Sequence, residues 1–193
     1  MLGSRELAFS VSLGALGNVL AIVTIAPTLV RQIALDFSAI PVLIAGVFGG
    51  PALGILTGIL AGILPSMFFG YIGGQLGPLG FSACVGKALH GYFVAILAQR
   101  IPSLERRTLL LVPIVLLAFI PESIWLYVVF SILVPLILPN ELFLSALVIP
   151  ILAKAWFEVT VMAFFMSALV GHSGFKRFLE THALGQPGES RRL

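Results

Sequence analysis

The chain has 193 residues, of which 59% are hydrophobic and only 10% charged, with a formal net charge of +3. A soluble domain carries about 25% charged residues, and a chain of this length cannot bury so much apolar surface and still show water a polar skin. Composition thus excludes a soluble domain. The absence of a basic stripe outside the loops excludes a nucleic-acid partner, and a lone Cys84 excludes a disulfide framework or a cysteine metal site.

Lipid is then the solvent. A bilayer core about 30 Å thick takes roughly 20 apolar residues per helix. The runs here are long and apolar all round, unlike the alternating strands of a barrel. Helix 1 is predicted from Leu7 to Ala26 and is retained as a helix, because its apolar run is too long for a signal peptide. Pro27 follows, then a polar loop from Thr28 to Ser38 that holds Arg31 and Asp36. Helix 2 is predicted from Ala39 to Gly62, with a reversal at Pro65 and a short helix 3 from Ser66 to Gly74. The segment Gly73 to Pro78 reads as a turn. Helix 4 is predicted from Leu79 to Ala98, and a polar loop from Gln99 to Thr108 follows. Helix 5 starts near Leu109, and its apolar run to Leu138 contains Pro113, Pro121 and Pro135, which kink or end it. After Pro139-Asn140-Glu141, helix 6 runs from Leu142 to Val170, and the tail beyond Gly171 is polar and frayed.

The expected fold is an all-α membrane protein, a six-helix transmembrane bundle over residues 1–175 with a polar cytoplasmic tail over 176–193. Lys and Arg set the orientation. With six helices, Arg5, Arg100, Arg106, Arg107, Lys176, Arg177, Arg191 and Arg192 share one side, and Arg31 alone faces them. Both termini are therefore predicted to be cytoplasmic, in a multi-pass protein of the cell membrane.

Two patterns stand out inside the spans. Gly46, Gly50, Gly54, Gly58 and Gly62 recur every four residues, and Ser10, Gly14, Gly17, Asn18 and Ala21 form a similar stripe on helix 1. Small residues at this spacing let helices approach closely, for internal packing or for docking another protein. Lys87, Glu122, Lys154 and Glu158 also fall inside predicted spans, where each charge costs about 2.5–3.5 kcal/mol at a helix centre. His90 shares a face with Lys87, Glu158 lies one turn from Lys154, and Trp125 lies one turn from Glu122. One reading is a set of ion pairs that hold helices 4, 5 and 6 together. The other is a polar pocket in the outer half of the bundle, with Trp125, Tyr127 and Trp156 available to stack on a flat ligand. No phosphate-binding loop, H-E-x-x-H or G-x-S-x-G motif occurs, so no enzyme activity and no cofactor are expected.

The stretch Asp36-Phe37-Ser38-Ala39-Ile40-Pro41, followed by Gly50-Pro51-Ala52-Leu53-Gly54, resembles the D-x-S-x-x-P and G-P-x-x-G pattern of substrate-binding S components of energy-coupling factor (ECF) vitamin transporters. The resemblance spans about residues 5–175. It implies capture of a vitamin or related micronutrient, with riboflavin favoured, and delivery with a transmembrane T component and two ATPase subunits. It implies that the loop after helix 1 covers the substrate, which brings Arg31 and Asp36 to the pocket expected from Lys87, His90, Glu122, Trp125, Lys154 and Glu158. It also implies partner docking through Ser10, Gly14, Gly17 and Ala21. The residues alone leave three other readings open: a small ion-coupled carrier or channel, an intramembrane enzyme built on His90 and Glu122, and a scaffold subunit whose charges merely pair.

Overall fold

The structure, a computed structural model, describes residues 3–25, 35–72, 75–101, 104 and 107–182. Among these it is all helical. Five helices are long and apolar enough to cross a membrane: α1 (Ser4–Ile25), α3 (Pro51–Gly70), α4 (Gly77–Gln99), α5 (Thr108–Ile137) and α7 (Val148–Gly171). A shorter apolar helix, α2 (Phe37–Gly49), precedes α3. A one-turn piece, α6 (Leu142–Ala146), leads into α7, and α8 (Ser173–His182) follows it. Large apolar side chains point outward along the spans, among them Val19 and Val23 on α1, Ile124 on α5 and Phe157 and Phe164 on α7. Such outward faces belong in hydrocarbon, and the chain is a multi-pass membrane protein.

The expected layout of helices 2 and 3 is corrected here. The stretch predicted as helix 2, Ala39 to Gly62, is two helices that reverse at Gly50, and the reversal predicted at Pro65 is absent. Gly50 has φ +87° and ψ −176°, a conformation open to glycine and strained for any L side chain. Pro51 then starts α3 at the position where its missing N–H is harmless. With 13 residues, α2 is about 20 Å long, short of the 30 Å bilayer core. It runs antiparallel to α3. Gly17 faces both Ser38 O and Ala61, while a Cβ on Gly54 would lie 3.2 Å from the Cα of Gly46. Thus the row Gly46 to Gly62 is not one face of one helix. Gly46 lies on α2, Gly50 makes the turn, and Gly54, Gly58 and Gly62 face Gly91, Lys87 and Cys84 of α4.

Pro65 leaves a trace of a different kind. The turn at Gly62 separates Leu60 O from Leu64 N, which would bond to each other in a regular helix. Asn18 of α1 fills the gap: its Nδ2 donates to Leu60 O at 2.9 Å and its Oδ1 accepts from Leu64 N at 2.9 Å. Replacing Asn18 by Leu leaves a backbone donor and acceptor unpaired away from water and is expected to destabilise the bundle by about 1–3 kcal/mol. Denaturant titration of the purified protein measures it, and an unchanged midpoint would show that α3 closes the gap by itself.

The Asn18 contacts also fix direction. Gly14 lies against Leu60, Gly17 against Ala61, and Ile25 near Phe68, so α1 and α3 run parallel. Antiparallel packing follows for α4 on α3, with Gly54 on Gly91 and Gly62 on Cys84. Next, α5 is antiparallel to α4, with Trp125 near Ser82 and Val115 near His90. Last, α7 is antiparallel to α5, with Trp156 on Phe119 and Gly171 near Thr108. The start of α1, the Gly50 turn, the α4–α5 connection and α8 therefore share one end of the bundle. The prolines of α5 are expected to kink or end it; the helix continues through Pro113 and Pro121 and ends at Ile137, just after Pro135. It carries Pro121 and relaxes into a wider π turn at Val129–Leu133 ahead of Pro135. The stretch after Gly171, expected to fray, is helical to His182.

Candidate functional site

A cavity of about 90 Å³ opens among α2, α4, α5 and α7, in the half of the bundle away from α8. By the measure in which one water needs about 10–15 Å³, it has room for a small polar molecule. Six ionisable side chains line it: Asp36, Lys87, His90, Glu122, Lys154 and Glu158.

Asp36 sits where the chain enters α2. Its Oδ1 accepts from Ser38 N at 2.9 Å and caps the first turn, the usual work of an aspartate just before a helix. Its Oδ2 accepts from Lys87 Nζ of α4 at 2.8 Å. Its backbone N–H donates to Glu158 Oε1 of α7. On α7, Lys154 Nζ lies 3.0 Å from Glu158 Oε2, one turn along the same face. One connected group thus ties the N-terminal end of α2 to α4 and α7. Asp36, Lys87 and Glu158 are almost fully buried, so each charge depends on its partners.

A second pair joins α4 and α5. His90 is fully buried, its Nε2 3.3 Å from Val115 O and its Nδ1 3.1 Å from Glu122 Oε2. The Nδ1 contact is close but poorly angled, and Nδ1 has no hydrogen bond that meets ordinary geometry. Glu122 and Lys154 are the most accessible members of the six, with side chains 13% and 17% exposed. Among the described residues no group of His, Cys, Asp and Glu is arranged to hold a metal ion.

Of the substrate contacts expected from the sequence, the structure brings Asp36, Lys87, His90, Glu122, Lys154 and Glu158 to one cavity. Arg31 lies outside the described residues. Trp125 does not line the cavity; its Nε1 donates to Ser82 O at 3.0 Å and fastens α5 to α4. Tyr127 is exposed and Trp156 packs edge-on against Phe119, so neither of these aromatics reaches the cavity. The apolar wall comes from Phe69, Phe119, Leu126, Phe130 and Met162. Nothing in the sequence separates these from the many other apolar residues of the spans. Ser10, Gly14, Gly17 and Ala21, expected to dock a partner, are buried inside the chain. Gly14 and Gly17 meet Leu60 and Ala61 of α3.

The fold and cavity define a small all-helical membrane domain with five helices long enough to span and a cavity lined by ionisable side chains. Residues 4–170 match the family 5TM-5TMR_LYT, described as the 5TMR of 5TMR-LYT, and the chain belongs to it. This is a family of five-transmembrane LytS-type receptor domains, the membrane domains of sensor kinases. The match overturns the resemblance to ECF S components and, with it, the reading as a vitamin or riboflavin capture subunit. The T component and ATPases that the resemblance implied lose their basis. No curated protein and no solved structure matches the chain.

Proposed function

We propose that this chain is a membrane-embedded sensing domain that recognises a small polar molecule in the cavity between α2, α4, α5 and α7, without turning it over. One observation carries the reading beyond family membership. Six ionisable groups, five from α4, α5 and α7 and one from the residue that caps α2, converge on one cavity that still has free volume. A purely structural network gains little over apolar packing, and ionisable residues inside a membrane mark ligand or ion sites. Glu122 and Lys154 supply one acceptor and one donor at the accessible edge. Surrounding lipid and one small polar ligand are the partners this reading requires.

The reading also takes the bundle as six passes, five full and one short, with both ends cytoplasmic. The parallel course of α1 and α3 supports it, because α2 must carry the chain back between them. Arg5, Arg100, Arg107 and Arg177 lie at the end of the bundle shared by α8 and the start of α1, which supports a cytoplasmic assignment of that end.

The test is thermal unfolding of the full chain in lipid nanodiscs against a panel of small amines, carboxylates and amino acids. At least one class is expected to raise the midpoint, and Glu122→Gln and Lys154→Met are expected to abolish that shift. A panel that moves nothing, or a shift that survives in both variants, would overturn the reading.

A further inference from the structure

We infer that α2 is the transmitting element of this domain: it carries the state of the cavity at Asp36 to α8 through the contact of Phe48 with Phe175. The inference rests on the sensing role proposed above, but its test needs no ligand.

The two ends of α2 lie in different places. Asp36 and Ala39 line the cavity, and Asp36 is tied there to Lys87 and Glu158. Toward the other end of α2, the ring of Phe48 meets that of Phe175 of α8 edge-on, with centroids 6.1 Å apart. Both rings pack against the main apolar core. Anything that loosens the Asp36–Lys87 pair removes an anchor at one end of a short helix, and the other end bears on α8.

The construction of α2 suits movement. Its last turn, Ala45–Gly49, is a π turn, a geometry that often marks functional sites. The turn ends at Gly50, where the backbone is in a region reserved for glycine. Where that turn begins, Gly46 lies against Gly91 O and the Val94 side chain of α4, and Gly54 of α3 approaches its Cα. A short helix with a charged contact at one end and a glycine turn at the other moves as one body, because Val42, Leu43, Ile44 and Ala45 between them are packed side chains. By contrast, α7 also runs from the cavity to α8, but as one unbroken 24-residue α-helix. It is the stalk against which α2 moves.

Amide hydrogen exchange on the full chain in nanodiscs tests this. Asp36→Asn keeps the Ser38 cap and breaks only the charge pair. Lys87→Met breaks the pair from α4. Each is expected to speed exchange across Val47–Gly50 and across Ser173–His182 by about fivefold or more, the low end of ordinary coupling between sites. In a Phe48→Ala background the same substitutions are expected to leave α8 exchange unchanged. Trp125→Phe, which removes a hydrogen bond between α5 and α4 without touching α2, is expected to leave α8 unchanged as well. The proposal fails if Asp36→Asn loosens only the cavity end. It fails equally if α8 responds just as strongly without Phe48, which would route the signal through α7, or if Trp125→Phe loosens α8 as much. Should both pair-breaking variants fold poorly, Phe175→Ala reads the coupling in reverse, with faster exchange expected at Phe37–Ala39; unchanged exchange there overturns it. Loss of coupling with intact ligand binding removes the transmission role alone, whereas coupling without any ligand removes the sensing role alone.

Discussion

Lys87→Met is expected to destabilise the protein by about 3–5 kcal/mol, and the double variant Asp36→Asn/Lys87→Met is expected to recover most of that loss. Breaking a buried pair from one side strands the other charge, and this stranded charge, not the lost attraction, is the larger part of the penalty. Lys87 and Asp36 are 5% and 8% exposed and lie 2.8 Å apart, so neither charge has water to fall back on. In the double variant the asparagine introduced in place of Asp36 still caps Ser38, and the Glu158 carboxylate still accepts from the backbone N–H at that position. Chemical unfolding of the single and double variants in one detergent gives the coupling directly. Additive losses would show that Asp36 and Lys87 act independently, and the view of a single charged anchor for α2 would have to go.

The second large effect concerns the seam between α3 and α4. Gly54→Ala is expected to cost about 3 kcal/mol, at the top of the range for overpacking. The added Cβ would lie 2.3 Å from Gly91 O, which is backbone and has no rotamer to move. The helices must separate, and contacts all along α3 and α4 loosen with them. Gly171→Ala is the matched control. Its Cβ would meet only the Thr108 side chain at 3.6 Å, so the change is expected to be neutral or stabilising by up to about 1 kcal/mol through helix propensity. Both variants are read from the same unfolding curves. Equal behaviour at the two sites would mean that the seam is not close-packed in the membrane.

The glycine row shows where local reading reaches its limit. A four-residue spacing looks the same whether the residues share one helix or straddle a hairpin. What distinguishes the two is that Gly46 meets Gly54 in space, and no property of either residue reports that contact. The resemblance to S components has the same origin. D-x-S-x-x-P marks an aspartate cap ahead of a short helix, and G-P-x-x-G marks a glycine turn into a span. These are requirements of backbone geometry, and a fold hosts different functions on the same backbone. Lys87, His90, Glu122, Lys154 and Glu158 were more legible, because an ionisable residue in an apolar run stands out against its neighbours, whereas Asp36 lay in a polar loop. Their pairing was not, since Asp36 meets residues 51 and 122 positions away.

The solvent of this protein, its helical class and the burial of its mid-span charges are legible in the residues alone. Those follow from composition and from the energy of transferring single residues out of water, which are additive along the chain. The turn at Gly50, the five long helices beside a short α2 and the place of Asp36 at the cavity come from the packed fold. Those depend on contacts between residues distant in the chain, where the backbone of one helix either admits its neighbour or does not.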